Sequence, residues 1–218
     1  MSMMSRLASL QRFSMERLAN RESVLEHLGQ VVLTSLMLAS EIRNRDSKVR
    51  IDLFTVMARA AVHDTEEVIT GDIARPTKYA SRETQEMFRK LSASAVEDIA
   101  SELSSRADLP GFASVMRANH RNAKGAGIEG CVVALADILA VVTKVWEEVI
   151  LRNSGAMIRQ AHTARKQLVA YQKRINDEVD RDSPTHAFLS RVVVEALLIA
   201  DEAICRDSRW LGTKVETY

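Results

Sequence analysis

The sequence predicts an all-α protein, a single helical bundle with a C-terminal helical extension. Three observations carry this reading. Apolar residues recur at three- and four-residue spacing in segment after segment, and no stretch sustains the two-residue alternation of a strand. Only 3 prolines and 8 glycines interrupt 218 residues, so long helices meet few breakers. Hydrophobic residues make up 46% and charged residues 27%, the balance of a globular chain with a buried core. A chain of this length builds one well-buried core more readily than two.

The elements follow in order. Ser23-Val24-Leu25-Glu26 reads as a capping box. Val24, Leu28, Val31, Val32, Leu36, Ala39 and Ile42 then trace one helical face to about residue 43. A second helix is expected over residues 51–62 and a short helical turn over 65–69. Residues 70–76 hold Gly71 and Pro76 and read as a loop. Ser81 caps a helix to about residue 105. Leu109-Pro110-Gly111 is a break before a short helix to about residue 119. The most apolar helix is expected over residues 129–152. Gly155 separates it from a long polar helix to about residue 179. Ser183-Pro184, a cap followed by proline at the first helical position, opens the last helix, to about residue 207. The division expected is a core over residues 1–154 and a helical extension over 155–218, packed on it.

Charge and cysteine usage narrow the function classes. Thirty basic residues against 29 acidic leave a net charge near +1, without the basic excess of a general nucleic-acid binder. Phosphate-binding charge must therefore be local. Cys131 and Cys205 match no zinc or redox spacing, and Cys131 reads as a small buried hydrophobe. The first residues carry Arg6 and Arg12 and lack the apolar run of a signal peptide. The apolar segment 131–150 contains Asp137, Lys144, Glu147 and Glu148, which makes it a poor membrane span. A cytoplasmic protein with no membrane partner is expected.

Four residues stand out for chemistry. His63 and Asp64 are adjacent at a helix end, where the backbone can turn both side chains toward one centre. A histidine nitrogen with a carboxylate oxygen suits a divalent metal, although such a dipeptide alone is usually chance. Asp137 lies among Val132, Val133, Ala134, Leu135, Ala136, Ile138, Leu139 and Ala140. A buried ionised carboxylate there needs a metal or a cation, such as Arg59. His27 sits one turn into the first long helix beside Leu25, Leu28 and Val31, which fits a core histidine or a ligand. Together the four offer two nitrogens and two carboxylates, and leave a metal open positions for water and substrate.

The order His, His-Asp, Asp resembles the HD-domain phosphohydrolases. Arg12-Phe13, Glu26-His27, the run from His63 to Asp72, Pro76-Thr77-Lys78-Tyr79 and Ala136-Asp137 together resemble the bacterial 5′-deoxynucleotidase branch. That branch typically reads Arg-Trp, Glu-His, HDxxExxxGD, PxKY and AD in this order. The similarity spans roughly residues 10–150 and extends to phage dATP triphosphohydrolases, which would place the protein in a host cytoplasm. The resemblance implies one divalent ion, manganese, cobalt, zinc or magnesium, held by His27, His63, Asp64 and Asp137. It implies Glu67 and Asp72 as catalytic carboxylates, Arg12 and Lys78 on phosphate oxygens, and Phe13, Met15 and Pro76 against sugar and base. Phe13 stands where the branch has tryptophan. Arg75 is a further phosphate candidate, Glu66 reads as a solvated carboxylate and His120 as an exposed histidine.

The function implied is hydrolysis of small-molecule (deoxy)nucleotide phosphate esters. Either a monophosphate yields nucleoside and phosphate, or a triphosphate yields nucleoside and triphosphate. An alarmone hydrolase and a non-catalytic nucleotide-binding module are the alternatives. The helical tail leaves room for a homo-oligomer.

Overall fold

The computed structural model describes residues 2–106 and 109–215, with residues 75, 76, 106, 154 and 207–215 described by backbone alone. The described residues are helical and form no strand beyond one isolated bridge, Gln11 to Ser23. Helix α1 spans Met3–Ser9 and α2 Val24–Arg45. Helices α3 (Leu53–Val62), α4 (Glu67–Thr70) and α5 (Arg75–Lys78) follow. The longer α6 (Arg82–Arg106), α7 (Pro110–His120) and α8 (Ile128–Ile150) come next. A 3-10 turn at Ser154–Met157 leads into α9 (Ile158–Glu178) and α10 (Pro184–Val215).

Local chemistry explains most boundaries. Ser23 accepts from the Glu26 N–H while the Glu26 carboxylate accepts from the Ser23 N–H, a complete capping box at the start of α2. Glu26 is thereby committed to the cap. Ser81 accepts from Thr84 N at 3.1 Å, as expected. Gly71 closes α4 at φ 74°, in the left-handed region that favours glycine, and its N–H reaches Glu67 O at 2.8 Å. The expected loop over 70–76 is shorter, because α5 already begins at Arg75. Pro76 fits there, since first-turn N–H groups have no helical acceptor anyway. The last helix runs to Val215, past the expected end near 207.

Helix α8 is central. It packs against α2, α3, α9 and α10. Val31, Ala39 and Ile42 of α2, Val56 and Ala60 of α3, and Leu135 and Ala136 of α8 share one core with Leu168 and Ile175 of α9 and Leu189 and Val193 of α10. Although polar in composition, α9 buries a stripe of Ala161, Ala164, Leu168, Tyr171 and Ile175 at helical spacing. Residues beyond 155 thus complete the core around α8.

The segment between α1 and α2 is irregular but tightly held. Arg12 N donates to Glu22 O at 2.8 Å and Val24 N to Leu10 O at 2.9 Å. The fully buried Glu148 of α8 accepts from Ala19 N at 2.8 Å, from Asn20 N at 3.1 Å and from Asn153 Nδ2. Lys144 donates to Asn20 O, and Asn153 to Arg17 O at 2.9 Å. Replacing Glu148 strands several buried donors at once. Glu148→Ala is expected to cost about 3 kcal/mol, read as a lower urea midpoint with an unchanged slope.

Candidate metal centre

Three separate segments deliver four ligand atoms to one point. Helix α2 turns His27 inward, fully buried, one turn after its cap. Helix α3 ends at Val62, and the following turn brings His63 and Asp64 to the same side. Asp137 comes from the middle of α8. One ligand atom from each of the four lies within 4.8 Å of the others. His27 Nε2 is 3.0 Å from Asp137 Oδ1, 3.4 Å from His63 Nε2 and 3.7 Å from Asp64 Oδ2. His63 Nε2 is 3.2 Å from Asp64 Oδ2 and 3.8 Å from Asp137 Oδ1. Bonds of ~2.1 Å to a divalent ion separate neighbouring ligand atoms by about 3.0 Å in an octahedron and about 3.4 Å in a tetrahedron. The donor set and its spacing therefore fit such an ion. His63 Nδ1 lies 2.7 Å from Ala60 O, which fixes the ring and turns Nε2 to the centre.

The electrostatics suit a cation. Burial, and then the Arg12 guanidinium, push His27 down to about 4, so its ring is neutral at pH 7. Burial opposes charge on His63 as well, but Asp64 beside it carries that ring up to about 9. An ion binding here therefore displaces a proton from His63. Burial favours the neutral form of both aspartates. His63 and then Lys124 hold Asp64 well below the usual carboxylate range, and Lys124 with both histidines does the same for Asp137.

A second ring surrounds this centre. The Arg12 guanidinium reaches Glu22 Oε1 at 3.3 Å and stacks 4.8 Å from the Phe13 ring centroid. Glu22 Oε1 also lies 3.6 Å from His27 Nδ1, so one carboxylate faces both Arg12 and His27. Lys78 Nζ is 3.4 Å from Glu67 Oε1, and Glu67 Oε2 is buried without a hydrogen-bond partner. Burial, then the charges of Asp64 and Asp72, push Glu67 up to about 8. Asp72 Oδ2 accepts from Phe13 N at 2.9 Å and pins that residue at φ 52°. Met15 projects into solvent, 84% exposed. The side chains of Pro76 and Arg75 lie outside the described residues.

Three expectations are overturned. Glu66 is buried rather than solvated, and His120 Nε2 lies 2.8 Å from its Oε2, so neither is an isolated surface group. The Asp137 counter-cation is Lys124, at 2.7 Å, and not Arg59. Lys124 and Glu22 were not singled out in the sequence. Lys124 sits in a polar loop with no periodicity, and Glu22 stands just ahead of a capping box that accounts for its surroundings. Cys131 is buried as expected, and burial pushes its thiol up to about 12.

A family model described as YfbR-like 5'-deoxynucleotidase matches residues 1–181. A 5'-deoxynucleotidase of Vibrio vulnificus is 33% identical over 100 residues, 46% of this chain and 51% of that protein. One from Enterobacter sp. is 23% identical over 205 residues, 94% of each chain. The chain thus spans about half the length of the first relative and nearly all of the second. Among solved structures, an HD-domain phosphohydrolase from Listeria innocua superposes with a TM-score of 0.57 at 19% identity, over 88% of this chain and 95% of that one. A Pyrococcus horikoshii protein gives 0.58 at 18% identity, over 90% and 96%. These two likenesses establish the all-α HD-type fold. No helix among the described residues is long and apolar enough to cross a membrane.

The raised pKa of Glu67 has a signed consequence for stability. Its ordinary value is 4.5 and its folded value about 8. Folding favours the protonated form, so this contribution is full below pH 4.5 and is lost as pH rises through 8. In chelator-treated protein, Glu67→Gln should melt with the parent near pH 5 and about 2–4 °C above it at pH 9. Calorimetric scans across that range provide the check.

Proposed function

The chain belongs to the YfbR-like 5'-deoxynucleotidase family, and from that premise we propose that it is a metal-dependent hydrolase of 5′-deoxynucleotides, releasing deoxynucleoside and orthophosphate from a deoxynucleoside monophosphate. One observation supports this most: the two-histidine, two-aspartate cluster stands beside a buried carboxylate, Glu67, whose Oε2 has no partner. His27, His63, Asp64 and Asp137 would hold one divalent ion, of which manganese, cobalt, zinc and magnesium are all compatible with the mixed donors. Such an ion supplies charge to the phosphoryl oxygens and makes water a better nucleophile.

The remaining steps fall to side chains. Glu67, with a pKa near the working pH, takes a proton from the attacking water. Its free Oε2 is the acceptor, while Oε1 faces Lys78. Arg12 and Lys78 neutralise phosphate oxygens as charge builds in the transition state. Arg12 is the more buried of the two and shares Glu22 with His27, so the phosphate and metal sites are coupled through one carboxylate. Phe13 lies against the arginine and offers an apolar surface to sugar or base. The bond to the 5′ oxygen breaks as water adds to phosphorus, and the departing oxygen takes up a proton. Residues 1–154 form the catalytic core on this reading, and 155–218 the extension that braces it.

The experiment is product analysis by chromatography, with each deoxynucleoside mono- and triphosphate and each of the four metals, against a Glu67→Ala control. Deoxynucleoside and orthophosphate from monophosphates, with turnover in the control down at least ~100-fold, is the expected result. Triphosphate released from a triphosphate would replace this reading with a triphosphohydrolase. No turnover of any nucleotide by metal-loaded protein would point to an alarmone hydrolase or a binding module.

A further inference from the structure

Each aspartate of the cluster presents its two oxygens to different partners. The inner oxygens, Asp137 Oδ1 and Asp64 Oδ2, face the Nε2 atoms of the histidines at 3.0–3.8 Å. The outer oxygens face Lys124, with Nζ 2.7 Å from Asp137 Oδ2 and 3.7 Å from Asp64 Oδ1. One ammonium therefore spans both carboxylates on the side away from the histidines. Its side chain remains 35% exposed, so it lies at the solvent margin of the centre.

The loop that carries Lys124 is built rather than loose. Arg174 of α9 donates from Nη1 to Lys124 O at 3.2 Å and from Nη2 to Gly125 O. Glu178, itself paired with Arg174 at 2.9 Å, accepts from Gly127 N at 3.3 Å. The loop backbone also presses on α8. A Cβ at Gly130 would fall 2.0 Å from Gly125 O, so only glycine lets the two pass. The backbone at Lys124 is thus fixed from two sides, once by the extension and once by the helix that carries Asp137.

We propose that Lys124 is a positioning residue of the metal centre, pairing with the outer oxygens of Asp64 and Asp137 so that each gives one inner oxygen to the ion. The proposal rests on the metal-centre reading above and deepens it. Two consequences follow from its position. Carboxylates held to one oxygen each leave more of the ion's coordination sphere for phosphate and water. A fixed positive charge on the outer oxygens also repels a divalent ion, so the lysine weakens metal binding while it aids turnover. A side chain that merely supported the fold would shift metal affinity and activity in the same direction.

The test compares the full chain with Lys124→Met, Lys124→Gln and Lys124→Arg, after melting scans show which variants fold. Mn²⁺ affinity is measured by titration calorimetry and deoxynucleoside monophosphate turnover by phosphate release. The neutral variants should bind Mn²⁺ roughly 10-fold tighter and turn over at least ~10-fold slower. Lys124→Arg should stay close to the parent in metal affinity. Folded Met and Gln variants that bind Mn²⁺ with unchanged or weaker affinity would overturn the proposal. If the parent binds one Mn²⁺ but hydrolyses no nucleotide, the functional reading falls, and the affinity comparison still decides the role of Lys124. A parent that binds no Mn²⁺ would remove the metal centre and this inference together.

Discussion

An ionised carboxylate in the middle of the most apolar helix organises this molecule. Asp137 has leucine, isoleucine, valine and alanine on both sides in sequence, and α8 is the helix against which α2, α3, α9 and α10 all pack. Burying that charge alone would cost several kcal/mol. The fold meets the cost by bringing two imidazoles and an ammonium to it, and the same arrangement makes a cation site. Stability and chemistry are therefore tied together at one residue. The packing that completes the core also sets the distances between ligand atoms.

The second ring extends this logic outward. The chain between α1 and α2 has little regular structure, yet it carries Arg12, Phe13 and Glu22. It is held at one end by Asp72, which accepts the Phe13 N–H, and at the other by Glu148, which accepts the N–H groups of Ala19 and Asn20. Residues far apart in sequence thus hold Arg12 and Phe13 in register with the histidine–aspartate cluster. The helices after residue 155 take part as well, through Arg159 and Gln160 of α9, which donate to Glu16, and through Arg174 at the Lys124 loop. The site is built by the whole bundle, and a substitution well away from the four ligands can reach it.

Much of this was legible in the sequence, for definite reasons. Helical periodicity and cap residues are local signals, so the all-α class and the start of α2 could be read from Val24, Leu28, Val31 and the Ser23–Glu26 box. Of the four candidate ligands, Asp137 stands out locally, because an ionised carboxylate in an apolar run is costly unless paired, whereas His27, His63 and Asp64 stand out only as a set. Their meeting point was not local information and came from resemblance. Lys124 left no mark, because a lysine in a glycine-containing loop is an ordinary surface residue until the fold places it opposite Asp137. Glu66 reads as solvated and His120 as exposed for a similar reason. Each is an unremarkable polar residue alone, and only the approach of α7 to the segment after α3 makes them a pair. Glu26, by contrast, is legible locally, since the Ser23–Glu26 box predicts the cap that its carboxylate makes.

If His27, His63, Asp64 and Asp137 together hold one divalent ion, as proposed, the most direct test is to count that ion. Parent and Asp137→Asn proteins, loaded with Mn²⁺ and passed through a desalting column, would be assayed for metal by mass spectrometry, with circular dichroism as the check on folding. Asparagine keeps the size of the side chain and removes the charge that binds the cation. The account predicts about one ion per parent chain and near none in the folded variant. A folded Asp137→Asn protein that retained a full equivalent would contradict it, because the ion would then be held somewhere else.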